Sequence, residues 1–68
     1  MNNKLQDFAR NELKIGLAQC TAEEQLLFKR MYSHKNLELP VDDVVDNMPA
    51  EKLDWAMQQV ERTLAKHQ

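Results

Sequence analysis

Asp42-Asp43-Val44-Val45-Asp46 is the densest run of ligand-type side chains in this sequence. At helical period its three carboxylates fall on one side, opposite the valines. Phosphate-handling sites hold Mg²⁺ through one or two carboxylates, with water and phosphate completing the shell. A chain of 68 residues has little room for the pocket and the further ligands that such chemistry needs. The run therefore reads as the wet face of a short helix, with Asp42 and Asp43 favoured by the helix dipole. Cys20 stands just ahead of a helix start, where a thiolate can be stabilised, but no histidine lies close in sequence to act as its base. It also continues an apolar ridge, so it reads as a small buried hydrophobe. Cys20, His34 and His67 lack the close-paired spacing of a structural zinc site. His34 and His67 fall at expected helix ends, where cationic side chains are favourable. Ser33 has no nucleophile-elbow motif. With no catalytic dyad, metal set or cofactor motif legible, the expectation is a protein without enzymatic activity and without a cofactor.

Two other constellations point to binding. Lys29, Arg30 and Lys35, with His34 and Tyr32 nearby, form the densest basic patch and could contact phosphates. A helix-turn-helix reading would make residues 41–48 the recognition helix, which presents Asp42, Asp43 and Asp46 to the backbone with the wrong sign. The connection before it, about six residues without glycine, is also long for that motif. A nucleic-acid-associated factor using Lys29, Arg30 and Lys35 is thus the alternative function. The second constellation centres on the single tryptophan. Trp55 lies about 170° from the centre of the stripe made by Leu53, Ala56, Met57, Val60 and Leu64. It shares its face with Glu51, Gln58, Gln59 and Arg62. Either it covers the chain's own Leu37–Leu39 connection, or it is a contact surface with a hydrogen-bonding rim.

Four helical segments must position these residues, at about 3–19, 22–34, 41–47 and 50–66. In the first, Leu5, Ala9, Leu13, Leu17 and Cys20 form one ridge, with Phe8 and Ile15 in a second beside it. Gly16 projects near the middle of that broad face; a mid-helix glycine costs about 1 kcal/mol relative to alanine, which close approach of a crossing helix would explain. Thr21-Ala22-Glu23-Glu24 is a capping box that starts the second helix at residue 22. The period there carries Leu27, Phe28, Met31 and Tyr32 inward and leaves Leu26 outside the main arc. Leu37 and Leu39 pin the following connection to the core. Pro40 suits a helix N-terminus, and Val41, Val44, Val45 and Met48 then recur at i, i+3, i+4 and i+7. Pro49 and Glu51 open the last helix. The expected arrangement is one all-α domain over 1–68, with the three longer helices around a core and the valine helix closing one end.

The scale of the chain constrains that bundle. Below about 70–80 residues a single core rarely supplies more than ~3–5 kcal/mol. One cysteine permits no intrachain disulfide, so association with a second copy is one source of the missing stability. No apolar run approaches the ~18 residues of a membrane span, and the first residues lack a signal-peptide core; the cytoplasm is the expected compartment. Net charge is −2, too small to imply nucleic acid as a partner, but its distribution is uneven. Residues 1–35 carry six basic and four acidic side chains, and residues 36–68 three and seven, which could help two copies dock head to tail.

Phe28-Lys29-Arg30-Met31-Tyr32-Ser33 and Leu53-Asp54-Trp55-Ala56-Met57-Gln58-Gln59-Val60-Glu61-Arg62 resemble stretches of small uncharacterised proteins encoded by tailed bacteriophages. The resemblance covers about the second half of the chain, and implies an accessory protein of the host cytoplasm that binds a host or phage protein. It carries over no activity and no functional residues. From the residues themselves, the expected function is a small protein–protein interaction module centred on Trp55, Glu51, Gln58, Gln59 and Arg62, whose partner is another protein or a second copy.

Overall fold

The computed structural model describes residues 4–33 and 36–67. Their order is α1 (Lys4–Ala18), α2 (Ala22–Tyr32), α3 (Val41–Asp46), a single 3-10 turn (Ala50–Lys52) and α4 (Leu53–Ala65). The fold is all-α, three helices of substantial length and one short, with no strand among the described residues. Expected His34 and Lys35 positions lie outside the described residues. The last helix begins with a 3-10 turn instead of at residue 50, because Pro49 starts the chain in extended geometry and Lys52, at φ −97° and ψ −7°, sits at the junction.

Backbones come close along α1 and α4, α1 and α3, and α2 and α3. This corrects the expected arrangement. The valine helix does not close an end; it lies between α1 and α2 and supplies the middle of the core. Val44, Val45 and Met48 are buried there with Leu13 and Leu17 of α1, Phe28 of α2, and Leu53, Ala56 and Val60 of α4. The reason is that Val44, Val45 and Met48 make one fully apolar face, against which both α1 and α2 can pack. Leu39 of the preceding connection packs against this core.

Gly16 is where α1 and α4 cross. A Cβ placed on it would stand 2.8 Å from Val60 Cγ1 and 3.7 Å from Leu64 Cδ1. The helix runs on past it to Ala18, so the glycine serves close approach and does not end the helix.

With one glycine in the chain, helix C-termini are closed by side chains instead of left-handed caps. Gln25 of α2 donates to the Leu17 carbonyl at the end of α1, at 2.7 Å. Ser33 Oγ donates to the Lys29 carbonyl at the end of α2. At α3 the closing group comes from another helix: Arg10 of α1 donates through Nη1 to the Val45 carbonyl and through Nη2 to that of Met48, the latter at 2.9 Å. One turn along, Lys14 pairs with Asp46 at 2.7 Å. A cation at a helix C-terminus is favourable, and here the fork of one guanidinium also satisfies two carbonyls.

The backbone measures 36 × 28 × 16 Å. Its least dimension holds no more than two layers of helix, whose axes pack ~8–10 Å apart. A body two layers thick cannot bury apolar residues on every side of its helices, and several remain outside. The second ridge expected on α1 is one case: Phe8 is 62% exposed and Ile15 is exposed with it, and Leu5, expected in the first ridge, joins them outside, because α3 and α4 both lie against the Leu13–Leu17 side.

Candidate functional site

Every residue of the expected contact set lies on α4 or the turn that leads into it. Trp55 is 74% exposed and covers neither the connection before α3 nor the core. Glu51, Gln58 and Arg62 are exposed beside it, and Gln59 is half-buried. The exposure follows from phase: the Leu53, Ala56 and Val60 stripe faces inward, which turns Trp55 out.

What lies next to α4 on this side was not expected. Leu27 is 57% exposed and Met31 is exposed with it; both were expected inside. Helix α2 packs its Phe28 side against α3 and meets α4 less closely, so only part of its apolar arc is buried. The two helices are then tied across a seam. Tyr32 Oη donates to Gln59 Oε1 at 3.1 Å, while Gln59 Nε2 donates to Met31 Sδ at 3.1 Å. Thr63 Oγ1 donates to the Gln59 carbonyl at 3.0 Å. The Tyr32 ring rests on Phe28, with centroids 4.8 Å apart and planes tilted 43°. Burial pushes the Tyr32 phenol pKa up, which keeps the hydroxyl a donor at neutral pH. At the other end of the seam His67 Nε2 lies 2.9 Å from Glu24 Oε2. Glu24 also closes the capping box: its Oε1 accepts from the Thr21 amide at 2.8 Å, and its own amide donates to Thr21 Oγ1 at 3.1 Å. The Thr21 amide and then His67 hold the Glu24 carboxyl below its ordinary pKa.

Two hollows open along this seam. One, about 80 Å³ between Leu17, Leu27, Phe28, Met31 and Val60, is far below the ~300–1,000 Å³ of small-molecule sites. The other is an open notch walled by Tyr32, Glu51, Lys52 and Trp55. Two rings with one carboxylate and one ammonium make a surface for a side chain of another protein, with no enclosed chamber. The sequence signal that could have found Leu27 and Met31 is the apolar load of α2. Leu26, Leu27, Phe28, Met31 and Tyr32 occupy more of an 11-residue helix than one neighbouring helix can cover.

The other candidates are distributed differently. Lys29 turns inward enough for Nζ to donate to the Leu37 carbonyl at 3.4 Å, Arg30 is exposed, and Lys35 lies outside the described residues. Asp42 and Asp43 are exposed while Asp46 is engaged by Lys14. Among the described residues no group of three His, Cys, Asp or Glu side chains is placed to hold a metal ion. Cys20 packs against the core with Sγ 3.5 Å from the Gly16 carbonyl; burial, then the nearby Glu24 charge, raise its pKa, opposite to the shift an activated thiolate needs. No described helix is long and apolar enough to cross a membrane. Comparison with protein-family models, with curated proteins and with solved structures returns no match for this chain.

Proposed function

We propose that this chain is a small non-enzymatic protein–protein interaction module that works through the face shared by α4 and α2. The observation that carries the reading is the exposure of Trp55, which shares a notch with Tyr32 and stands one turn from the Gln59 that is bonded to exposed Met31. Tryptophan is enriched among the residues that dominate interface energetics, and a polar rim that excludes water commonly surrounds it. Glu51, Gln58, Gln59 and Arg62 supply such a rim, and Leu27 and Met31 enlarge the apolar centre. The polarizable, unbranched thioether of Met31 adapts to the shape of a partner. Occlusion of a partner's surface, or scaffolding, is the mode of action. The resemblance to small tailed-phage proteins supports an accessory role in the host cytoplasm on a host or phage protein.

A nuclease-treated pull-down from host lysate, with the wild type and Trp55→Ala in parallel, tests this. The expected result is a protein band held by the wild type and lost from the variant. Recovery of nucleic acid that falls with salt and with Arg30→Ala, but is indifferent to Trp55, would overturn the reading in favour of nucleic-acid association.

A further inference from the structure

Trp55 and its neighbours are not the sole exposed apolar side chains among the described residues. A second patch is the outer ridge of α1, Leu5, Phe8 and Ile15, which lie within about 80° of one another around the helix. The ridge extends onto α4 through a groove where Ile15 meets Met57, Glu61 and Leu64. On α4 itself Met57 and Trp55 point about 160° apart, so the two patches occupy opposite flanks of the molecule and can be engaged at once.

The patches differ in shape and charge in a complementary way. The α1 patch is a single helical ridge, whereas the Trp55 patch is a seam between two helices, the form that accepts a helix ridge. Beside the α1 ridge stand Glu12 and Glu61, with Lys4 near its start. The outward strip of α4 and its leading turn carries Lys52, Arg62 and Lys66 against Glu51. Glu12, Glu61, Lys52, Arg62 and Lys66 take no part in the Lys14–Asp46 and His67–Glu24 pairs. The thin body adds a reason for association, since a core of this size leaves both patches in water.

We infer that the outer ridge of α1 in one copy seats on the α2–α4 seam of a second copy, giving head-to-tail association. This rests on the reading of the Trp55 face as a contact surface, and names its occupant. Because the two surfaces differ, the contact is heterologous, and a chain of subunits keeps one free patch of each kind, one at either end. Three large apolar side chains on each side put the contact at the small end of specific interfaces, so association is weak and rises with concentration.

Sedimentation of the full chain up to millimolar concentration, with Phe8→Glu and Trp55→Glu, tests the inference. The wild type is expected to grow in mass with concentration, and each variant alone to stay monomeric with an unchanged melting temperature. The decisive sample is an equimolar mixture of the two variants. Each retains the patch that the other has lost, so the mixture should give a species of twice the monomer mass that grows no further. Leu5→Glu and Met31→Glu form a second such pair. A wild type that stays monomeric throughout, a variant that still assembles alone, or a mixture that stays monomeric would each overturn the inference. If the wild type is monomeric yet captures a foreign protein through Trp55, the head-to-tail pairing falls while the contact reading stands.

Discussion

The seam of α1 with α3 and α4 and the seam of α2 with α4 are made of different materials. At the first, Gly16 lets α1 and α4 close on Val60, Arg10 spans to one carbonyl of α3 and one just past it, and Leu13 is 1% exposed. At the second, the ties are side-chain hydrogen bonds, Tyr32 to Gln59, Gln59 to Met31 and His67 to Glu24, beside a small crevice flanked by Leu27 and Met31. A solvated hydrogen bond contributes only about 0.5–1.5 kcal/mol net, because water competes for both partners. Apolar burial and charge-assisted bonds therefore hold the first seam, and the second is the one with surface to offer a partner.

Substitutions should separate the two seams by size of effect. Leu13→Ala should cost the most, about 2–5 kcal/mol in chemical denaturation, as the site cannot collapse around the lost atoms. That range is comparable with all the stability a core of this size supplies, so the variant should be largely unfolded by circular dichroism. Arg10→Ala should follow at about 1–3 kcal/mol, since it takes the side-chain donor from the Met48 carbonyl just past α3, while the Val45 carbonyl keeps the Met48 amide. Arg10→Lys should recover only part of this, because an ammonium cannot serve both carbonyls as a planar fork does. Gly16→Ala sets a helix-propensity gain of about 1 kcal/mol against an overpacking cost of about 1–3 kcal/mol. Val60 Cγ1 belongs to a short, stiff side chain, so the cost should win, and Val60→Ala in the same chain should restore most of the loss. If Gly16→Ala instead raises the melting temperature, the two seams are less different than they look.

The smallest effects belong to the second seam. Trp55→Ala should change folding stability by no more than about 0.5 kcal/mol, as expected for an exposed side chain that anchors nothing in its own chain. Several kcal/mol would mean that Trp55 is structural and would remove the contrast. Acid should weaken this seam before the other. Glu24 has its pKa depressed below 4.5 by the Thr21 amide and His67, so its contribution is present above that value and is lost as pH falls through the folded pKa. Protection of the amides at the start of α2, taken relative to their intrinsic exchange rate, should therefore fall at acid pH, and Glu24→Gln should lower it at neutral pH and flatten the acid response.

Much of the fold was legible because its signals are local. Thr21 and Glu24 marked the start of α2 through bonds across three residues, and Pro40 and Pro49 marked the entries to α3 and to the turn before α4. The stripes Val44-Val45-Met48 and Leu53-Ala56-Val60 ended in the core as their periods require. Even the tight crossing at Gly16 could be read, since a mid-helix glycine needs a reason. The candidate site was legible by half. The angle of Trp55 from its own stripe picked out one side of it, but Leu27 and Met31 carry the same periodic signal as Phe28, and nothing local distinguishes them. Arg10 was equally silent, because the carbonyls it serves are 35 and 38 residues away.

By itself, then, the chain's order of residues determined where helices begin, which faces are apolar, and that Trp55 stands apart from the α4 stripe. Those are properties of one helix and its next few neighbours. The tertiary structure alone decided that the valine helix packs on both α1 and α2, that Leu13 and Leu17 are buried while Leu5, Phe8 and Ile15 are exposed, and that Leu27 and Met31 of α2 remain exposed. Periodicity states how much of a helix is apolar; only the number and position of the helices around it decide how much of that can be covered.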